Sequence, residues 1–217
     1  MTLPLRIRYQ TIEIGNIDIH LCTLRDRQQF SDPDGVAHEL GISSASWPIF
    51  GVVWPSSIVL AHYMLDFKTK GRRILEIGCG MALSSLLLNE QLVDITATDY
   101  HPEVEYFLMR NTLLNNGKNI AFERVDWADD RSELGFFDVI IGSDLLYEDQ
   151  HVSLLAHFIQ NHAKPACDVI IVDPGRGRKS KLSFQMSDYG FTSTHIQPTR
   201  TDYLEKQFKG YILNFSR

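Results

Sequence analysis

The chain has 217 residues, of which 44% are hydrophobic and 22% are charged, a composition typical of a globular protein and not of a disordered or fibrous one. Its length favours one domain with an added segment, and a net charge of −6 argues against a protein that depends on general attraction to nucleic-acid phosphates. Three widely spaced cysteines, Cys22, Cys79 and Cys167, predict reduced thiols of a cytoplasmic protein and exclude a disulfide framework or a zinc site.

The first fifty residues predict a short β extension and a covering segment. Apolar and polar residues alternate over residues 5–22 around Gly15-Asn16, a pattern typical of two antiparallel strands joined by a turn. Residues 26–47 are polar and contain a turn sequence at 32–35, which indicates a loop or short helix. No segment has the apolar run of a secretory signal or a membrane span. We therefore divide the chain into residues 1–50 and a main domain of residues 51–217.

Strands and helices alternate along the main domain. A helix is expected to begin at Pro55 or Ser56. Five apolar strands follow at residues 73–77, 95–98, 120–125, 137–141 and 169–172, with helices at residues 82–91, 102–115 and 150–163 between them. This alternation predicts a parallel α/β sheet with helices on both faces. Two further strands, at residues 191–197 and 209–215, have no long helix between them and predict a C-terminal antiparallel hairpin.

The most specific segment joins the first of these five strands to a helix through Glu76-Ile77-Gly78-Cys79-Gly80. Glycines at such a turn let the backbone approach a ligand, and the following helix N-terminus offers free N–H groups. The third glycine of a dinucleotide fingerprint is absent, and Glu76 would repel a pyrophosphate and attract an ammonium group. We therefore expect a ligand that carries a positive charge and no phosphate near this turn.

The next two strands also end in residues suited to ligand binding. Asp99 lies about 20 residues after the glycines, where a carboxylate can accept hydrogen bonds from both ribose hydroxyls. Asp126 and Trp127 are placed to hold the amino group and the face of an adenine. Each residue alone has a structural explanation as a turn, a helix cap or a core side chain. At three consecutive strand ends, however, they predict a site for ammonium, ribose and adenine, and hence S-adenosylmethionine as the cofactor.

These motifs, with Ser143-Asp144-Leu145-Leu146-Tyr147 after the fourth strand, resemble the seven-stranded S-adenosylmethionine-dependent methyltransferases. Within them the chain resembles methyltransferase family 16, the protein lysine methyltransferases, because Val53-Trp54-Pro55-Ser56-Ser57 is similar to the start of that family's first helix. The resemblance covers residues 50–174 and implies a Rossmann-like seven-stranded sheet.

The resemblance also implies roles for individual residues. Trp54 is expected to pack beside the methionine end of the cofactor, with a hydrophobic anchor for the N-terminal segment as the alternative, and Ser143 is expected to line the same site. The family usually has a third glycine where this chain has Ala82, and we expect the extra methyl group to tighten the turn without abolishing binding.

Asp144 and Tyr147 are the candidate catalytic residues. Methyl transfer is an in-line displacement, so the enzyme must align a neutral acceptor, and a lysine must first lose its proton. Asp144 could orient the acceptor nitrogen and Tyr147 could form a wall of its channel; the structural alternatives are a helix cap and a half-buried tyrosine. The segment lacks the Asn/Asp-Pro-Pro-Tyr/Phe motif of adenine and glutamine methyltransferases and the Pro-Cys nucleophile of cytosine methyltransferases, which argues against nucleic-acid substrates.

A basic run follows the fifth strand and contains Arg176, Arg178 and Lys179. It is either a solvated loop or a docking surface for an acidic protein partner. The eight histidines show no metal-binding spacing, so no metal is expected. We interpret the chain as a cytoplasmic S-adenosylmethionine-dependent protein methyltransferase acting on a lysine. A small-molecule methyltransferase, with residues 26–47 as a lid, and a non-catalytic cofactor-binding module are the alternatives.

Overall fold

The computed structural model describes residues 5–129, 133–147 and 149–217, which include every candidate site residue. Ahead of the main sheet stands a β-hairpin of β1 (Ile7–Ile14) and β2 (Ile17–Leu24), paired antiparallel around the predicted turn. The covering segment contains only short helical turns, as expected. They are α1 (Val36–Glu39) and a 3-10 helix at Trp47–Ile49.

Seven strands form the main sheet of the described residues. They are β3 (Arg73–Ile77), β4 (Asp94–Asp99), β5 (Ala121–Arg124), β6 (Phe137–Ser143), β7 (Ala163–Asp173), β8 (Thr192–Ile196) and β9 (Tyr211–Ser216). Their order across the sheet is β5-β4-β3-β6-β7-β9-β8. Strands β3 to β7 pair in parallel, and β9 is antiparallel to both of its neighbours. The predicted parallel α/β sheet with a C-terminal antiparallel hairpin is therefore confirmed.

Helices cover both faces of this sheet. They are α2 (Pro55–Leu65), α3 (Leu83–Glu90), α4 (Val104–Leu114), α5 (Asp149–His162) and α6 (Lys179–Asp188). Because successive strand residues point to opposite faces, Ile74 packs in one core with α2, α3 and α4, and Leu75 in another with α5 and α6. Ile14 and Ile19 of the hairpin share the first core. Among the described residues, no helix has the length and apolarity needed to cross a membrane.

One helix differs from the sequence interpretation. The sequence pattern predicts no helix in the basic run, whereas α6 begins within it at Lys179. The candidate site lies where the strand order of the sheet reverses, between β3 and β6. Parallel α/β sheets bind ligands in the crevice beyond the carboxyl ends of the strands at such a point.

Candidate functional site

The carboxyl ends of β3, β4 and β5 bring the predicted cofactor residues to one edge of the sheet. Glu76 is the fourth residue of β3, and Asp99 is the last residue of β4. The backbone N–H of Val125 donates to the carbonyl of Asp99 at 3.0 Å, which places Asp126 beside the end of β4. The register of the parallel strands thus assembles three carboxylates that are far apart in the sequence.

The glycine turn requires its glycines both for backbone conformation and for space. Gly78 and Gly80 have φ angles of 59° and 52°, in the left-handed region that favours glycine. A Cβ at Gly78 would lie 2.6 Å from Cδ2 of Leu145 and 3.9 Å from the ring of Trp127. A Cβ at Gly80 would lie 3.2 Å from the carbonyl oxygen of Phe50. The turn is therefore packed tightly between the β6 end and the segment that precedes α2.

Two residues with side chains share the left-handed conformation, Ala82 at the N-cap of α3 and Asp144 directly after β6. Ala82 has a φ of 55° and Asp144 a φ of 56°, at a cost of roughly 1–2 kcal/mol each. Leu92 and Asn116 also have positive φ, but they follow helices, where left-handed caps are common. Ala82, where the resemblance predicts a glycine, thus adopts a conformation that favours glycine, and Asp144 combines backbone strain with a candidate site position.

The Asp99 carboxylate is held by backbone donors. Its Oδ2 accepts from the N–H of Gly80 at 2.8 Å, and its Oδ1 accepts from the N–H of His101 at 2.9 Å. Burial raises the pKa of Asp99, while these N–H groups act in the opposite direction. An ionised carboxylate has about four lone-pair positions, so both oxygens can still accept hydroxyl donors. The predicted ribose contact is compatible with this geometry.

Glu76 lies deeper than the sequence analysis expected. It is 2% exposed, and its Oε2 accepts from the backbone N–H of Ser85 at 2.9 Å and from the Ser85 hydroxyl. Burial raises the pKa of Glu76 to about 7, against the lowering effect of the Ser85 donors. The carboxylate therefore ties β3 to the first turn of α3, and its direct contact with a ligand ammonium group stays a prediction.

Asp126 and Trp127 stand at the β5 side of the crevice. Asp126 Oδ1 accepts from the N–H of Ala128 at 2.9 Å, which closes a local turn. The Trp127 ring, partly buried, meets the His151 ring edge-to-face with 5.9 Å between centroids. Because it also lies near Gly78, Trp127 presents an aromatic surface beside the glycine turn.

Asp144 and Tyr147 form a polar cluster with Arg176. The side chain of Asp144 is 7% exposed, and its Oδ1 accepts from Nε of Arg176 at 2.8 Å. Cζ of the same guanidinium lies 4.8 Å from the centre of the Tyr147 ring. Burial and the nearby Asp144 charge raise the pKa of the Tyr147 hydroxyl, so it stays protonated at neutral pH. Ser143 ends β6 immediately before this cluster.

The sequence pattern indicates no role for Asp173 and leaves Arg176 in either a solvated loop or a docking surface. Asp173 is buried at the end of β7, and its carboxylate accepts from the backbone N–H groups of Gly175 and Arg176 at 3.0 and 3.1 Å. The signal that could have identified Asp173 is its position as a strand-end aspartate, like Asp99. Nothing in the sequence pattern indicates the contact between Arg176 and Asp144.

The other cations of the basic run also contact the chain itself. Arg178 Nε lies 2.7 Å from Oδ1 of Asp149, and Nζ of Lys179 lies 3.3 Å from the centre of the Tyr211 ring. The run is therefore not simply a set of charges extended into solvent.

Trp54 occupies the N-cap position of α2. Its indole N–H donates to the carbonyl of Ile49 at 2.9 Å, and the Arg27 guanidinium lies 4.2 Å from its ring centre. These contacts anchor the segment before α2, and the role expected beside the cofactor stays a prediction.

Comparison with known proteins agrees with this architecture. The crystal structure of a methyltransferase from Pyrococcus furiosus has a TM-score of 0.57 at 20% identity, covering 76% of this chain and 83% of that one. Magnesium protoporphyrin IX methyltransferase from Synechocystis PCC 6803, solved with bound SAM, has a TM-score of 0.58 at 18% identity, covering 75% and 77%. At these identities the likeness establishes the fold.

Sequence relatives are named for methyl transfer to proteins. Histidine protein methyltransferase 1 homolog of Dictyostelium discoideum is 35% identical over 51% of this chain and 38% of that protein. Protein N-lysine methyltransferase METTL21A of Danio rerio is 25% identical over 54% and 59%. The electron transfer flavoprotein beta subunit lysine methyltransferase of Rattus norvegicus is 26% identical over 71% and 62%. The chain thus spans less than two thirds of the length of each of these relatives.

A family model described as lysine methyltransferase matches residues 40–188, which is more than half of the chain. The match begins in the covering segment and ends with α6, so it includes the glycine turn, the three strand-end carboxylates and the Asp144 cluster. The chain therefore belongs to the lysine methyltransferase family.

Proposed function

We propose that this protein is an S-adenosylmethionine-dependent protein methyltransferase that transfers a methyl group to a lysine side-chain nitrogen. The observation that carries the proposal is the crevice at the switch point, where the carboxylates of Glu76, Asp99 and Asp126 lie at the ends of three strands and the buried Asp144 follows β6. Membership of the lysine methyltransferase family and the protein substrates in the names of its relatives support it.

The residues present fit this cofactor by the chemistry of their donor set. Glu76 and Asp99 form no ion pair among the described residues, and their lone pairs suit an ammonium group and hydroxyl donors but not a phosphate. Asp99 would hold the ribose, Asp126 and Trp127 the adenine, and Glu76 the ammonium end. Trp54 and Ser143 would border the methionine chain. When bound, S-adenosylmethionine supplies an electrophilic methyl group on a sulfonium.

The residues of the chain contribute to transfer by aligning the acceptor amine and by favouring loss of its proton. A lysine amine has a pKa near 10.4, so only ~0.04% is neutral at pH 7, and the proton must leave before the nitrogen forms its new C–N bond as the C–S bond breaks. Asp144 would accept a hydrogen bond from the amine and direct its lone pair. Tyr147 would wall the acceptor channel and exclude water.

The small-molecule alternative needs residues 26–47 as a lid over the acceptor. One hydrogen bond joins this segment to the residue after β4: the Tyr100 hydroxyl donates to the carbonyl of Leu40 at 2.8 Å. Because this contact is at the end of β4 and not at Asp144, it does not support a lid over the acceptor.

Docking of an acidic partner on the basic run is a further part of the proposal. Arg178 and Lys179 are the residues to test, because Arg176 contacts Asp144. Reversing both charges should slow methylation of the protein substrate and flatten its salt dependence, with cofactor affinity unchanged. Undiminished turnover at low salt would reject the docking role of the run. A cytoplasmic location is proposed from the free, buried cysteines, and cell fractionation tests it.

The experiment is labelling of an extract from a strain that lacks the protein. Purified protein and S-adenosylmethionine carrying a radiolabelled methyl group are added, and the products are separated. The proposal predicts a labelled protein band that requires active protein. A labelled soluble product would favour the small-molecule alternative. Cofactor binding without any labelled product would favour the non-catalytic module.

A further inference from the structure

The cluster after β6 holds a cation that the chain itself provides. Asp144 is more than nine-tenths buried, and the partner that its Oδ1 finds is the Arg176 guanidinium. The same guanidinium lies over the Tyr147 ring. A carboxylate and the face of an aromatic ring both attract cations, so together they can bind a guanidinium or an ammonium group.

The Arg176 side chain is able to leave this position without movement of the core. It is 36% exposed, so water already reaches it. Gly175 and Gly177 flank it with φ angles of 103° and 81°, and no heavy atom lies within 4 Å of where a Cβ would stand on either. The bonds from Asp173 hold the backbone of the loop, so only the side chain needs to swing.

The charge of the cluster determines which side chains can replace Arg176. A buried carboxylate left without a partner is strongly unfavourable, so Asp144 requires a cation, a hydrogen-bond donor or a proton in every state. An incoming lysine ammonium would exchange one cation for another at the same oxygen, and after it loses its proton the amine N–H can still donate to Asp144. An acidic side chain would repel the carboxylate, and an apolar one would leave it unpaired.

We propose that Asp144 and Tyr147 form a binding subsite for one cationic side chain, that Arg176 occupies it in the free protein, and that the acceptor residue of the protein substrate takes the place of Arg176. The identification of the occupant as the acceptor rests on the proposed function. The existence of the cation subsite does not. Arg176 therefore competes with the acceptor residue for the subsite. A cationic side chain enters only when the docked substrate holds it there more strongly than the chain holds Arg176.

Chemical rescue tests the subsite without any methyl transfer. In Arg176→Ala the subsite is open, and n-propylguanidinium or n-butylammonium chloride should raise the thermal midpoint above the value in equimolar NaCl. The expected rise is about 3–6 °C at roughly ten times the dissociation constant of the probe. The unchanged protein, with Arg176 in place, should show no rise beyond NaCl.

Two variants locate the effect. Arg178→Ala removes a neighbouring arginine whose partner, Asp149, is 74% exposed, and it should not be rescued. Arg176→Ala combined with Asp144→Asn should lose the rescue. If Arg176→Ala does not fold, Arg176→Gln takes its place. Absence of a specific rise, an equal rise in the unchanged protein, or a rise that survives Asp144→Asn would overturn the subsite.

Displacement by the acceptor has its own readout. With the protein substrate found by labelling, Arg176→Gln should lower the half-saturating substrate concentration several-fold, because the competing side chain is gone. An unchanged or higher value would overturn the displacement. If rescue succeeds while no protein is ever labelled, the proposed function fails and the cation subsite stands.

Discussion

Asp144 is the residue on which binding and chemistry can be separated. It has a left-handed backbone, an N–H bonded to the Val172 carbonyl at 2.8 Å, and a buried carboxylate. Asp144→Asn keeps the size and removes the charge. The transfer step should slow on the order of 10²-fold, about 2.7 kcal/mol, while calorimetry finds nearly unchanged cofactor affinity.

Stability of the same variant is the control. Arg176 is partly exposed and can turn to water when the charge at residue 144 is removed, so Asp144→Asn should fold. Loss of the fold, or of cofactor binding without a separate effect on transfer, would make Asp144 a structural cap. The acceptor site would then be sought near Trp54 and residues 26–47.

Glu76 should make the stability of the protein depend on pH. Its pKa is about 7 in the folded protein against 4.5 for an unperturbed glutamate, so the folded state keeps a proton that the unfolded chain has released. This contribution is complete below pH 4.5 and is lost as pH rises through 7, by about 3 kcal/mol at most. His101 acts in the opposite direction: burial lowers its pKa from 6.5 to about 4, so its contribution is lost as pH falls through that range.

The contribution of Glu76 to the pH dependence of stability is separated from that of His101 by comparing a Glu76 variant with the unchanged protein. Glu76→Gln can still accept the Ser85 bonds but does not titrate. Between pH 5 and pH 8 it should lose less stability in urea denaturation than the unchanged protein does. Identical pH dependence in the two proteins would contradict the burial of an ionisable carboxyl at this position.

At the scale of elements, the turn after β3 depends on Gly78 in two ways. Gly78→Ala should cost roughly 1–2 kcal/mol for the left-handed backbone, and a further 1–3 kcal/mol because the new methyl group meets Leu145. Gly71→Ala is the matched control, since Gly71 has a φ of 73° but no heavy atom within 4 Å of its Cβ position. Equal destabilisation of the two variants in urea would contradict the tight packing between the turn and the β6 end.

The elements that the sequence predicts well are those with a strong apolar pattern between clear breaks. The bounds of β3 are those expected, because a short apolar run stands between charged residues and a glycine turn. Helix α6 was missed for the opposite reason. It is largely polar and buries only Leu182 and Met186, which is too weak a pattern for a helix in a basic run.

The same contrast applies to the site. The position of Asp99, Asp126 and Asp144 at one edge of the sheet could be predicted, because parallel strands bring their carboxyl ends together; their roles stay predictions. The Ser85 donors to Glu76 and the contact between Arg176 and Asp144 depend on side-chain directions and on which strands are neighbours. The hydrophobic periodicity of the sequence gives no information about either contact.

At the scale of the whole molecule, the N-terminal hairpin packs against the main domain. Its Cys22 N–H donates to Oδ1 of Asn111 at 2.7 Å, and its His20 N–H donates to Asn115 at 2.8 Å, both at the C-terminal end of α4. The apolar residues of the hairpin share one core with α2 and α3. The sequence alone predicts the hairpin, but this docking onto α4 is visible only in the structure.

Ligand binding by the whole protein should raise its melting temperature selectively. S-adenosylmethionine at a hundredfold excess over its dissociation constant should stabilise the folded state by about 2.7 kcal/mol through mass action. NAD should give no shift, because its pyrophosphate would face the carboxylates at the glycine turn. Equal shifts with both ligands, or a shift with NAD alone, would contradict the cofactor assignment.

The central claim, methyl transfer to a protein lysine, is tested most directly by identifying the labelled residue. The protein band labelled from S-adenosylmethionine is isolated, hydrolysed to amino acids and compared with methylated standards, with Asp144→Asn as the parallel reaction. We predict methyllysine with the unchanged protein and a strongly reduced amount with the variant. Label recovered as methylhistidine or methylarginine, or present equally with Asp144→Asn, would contradict the account.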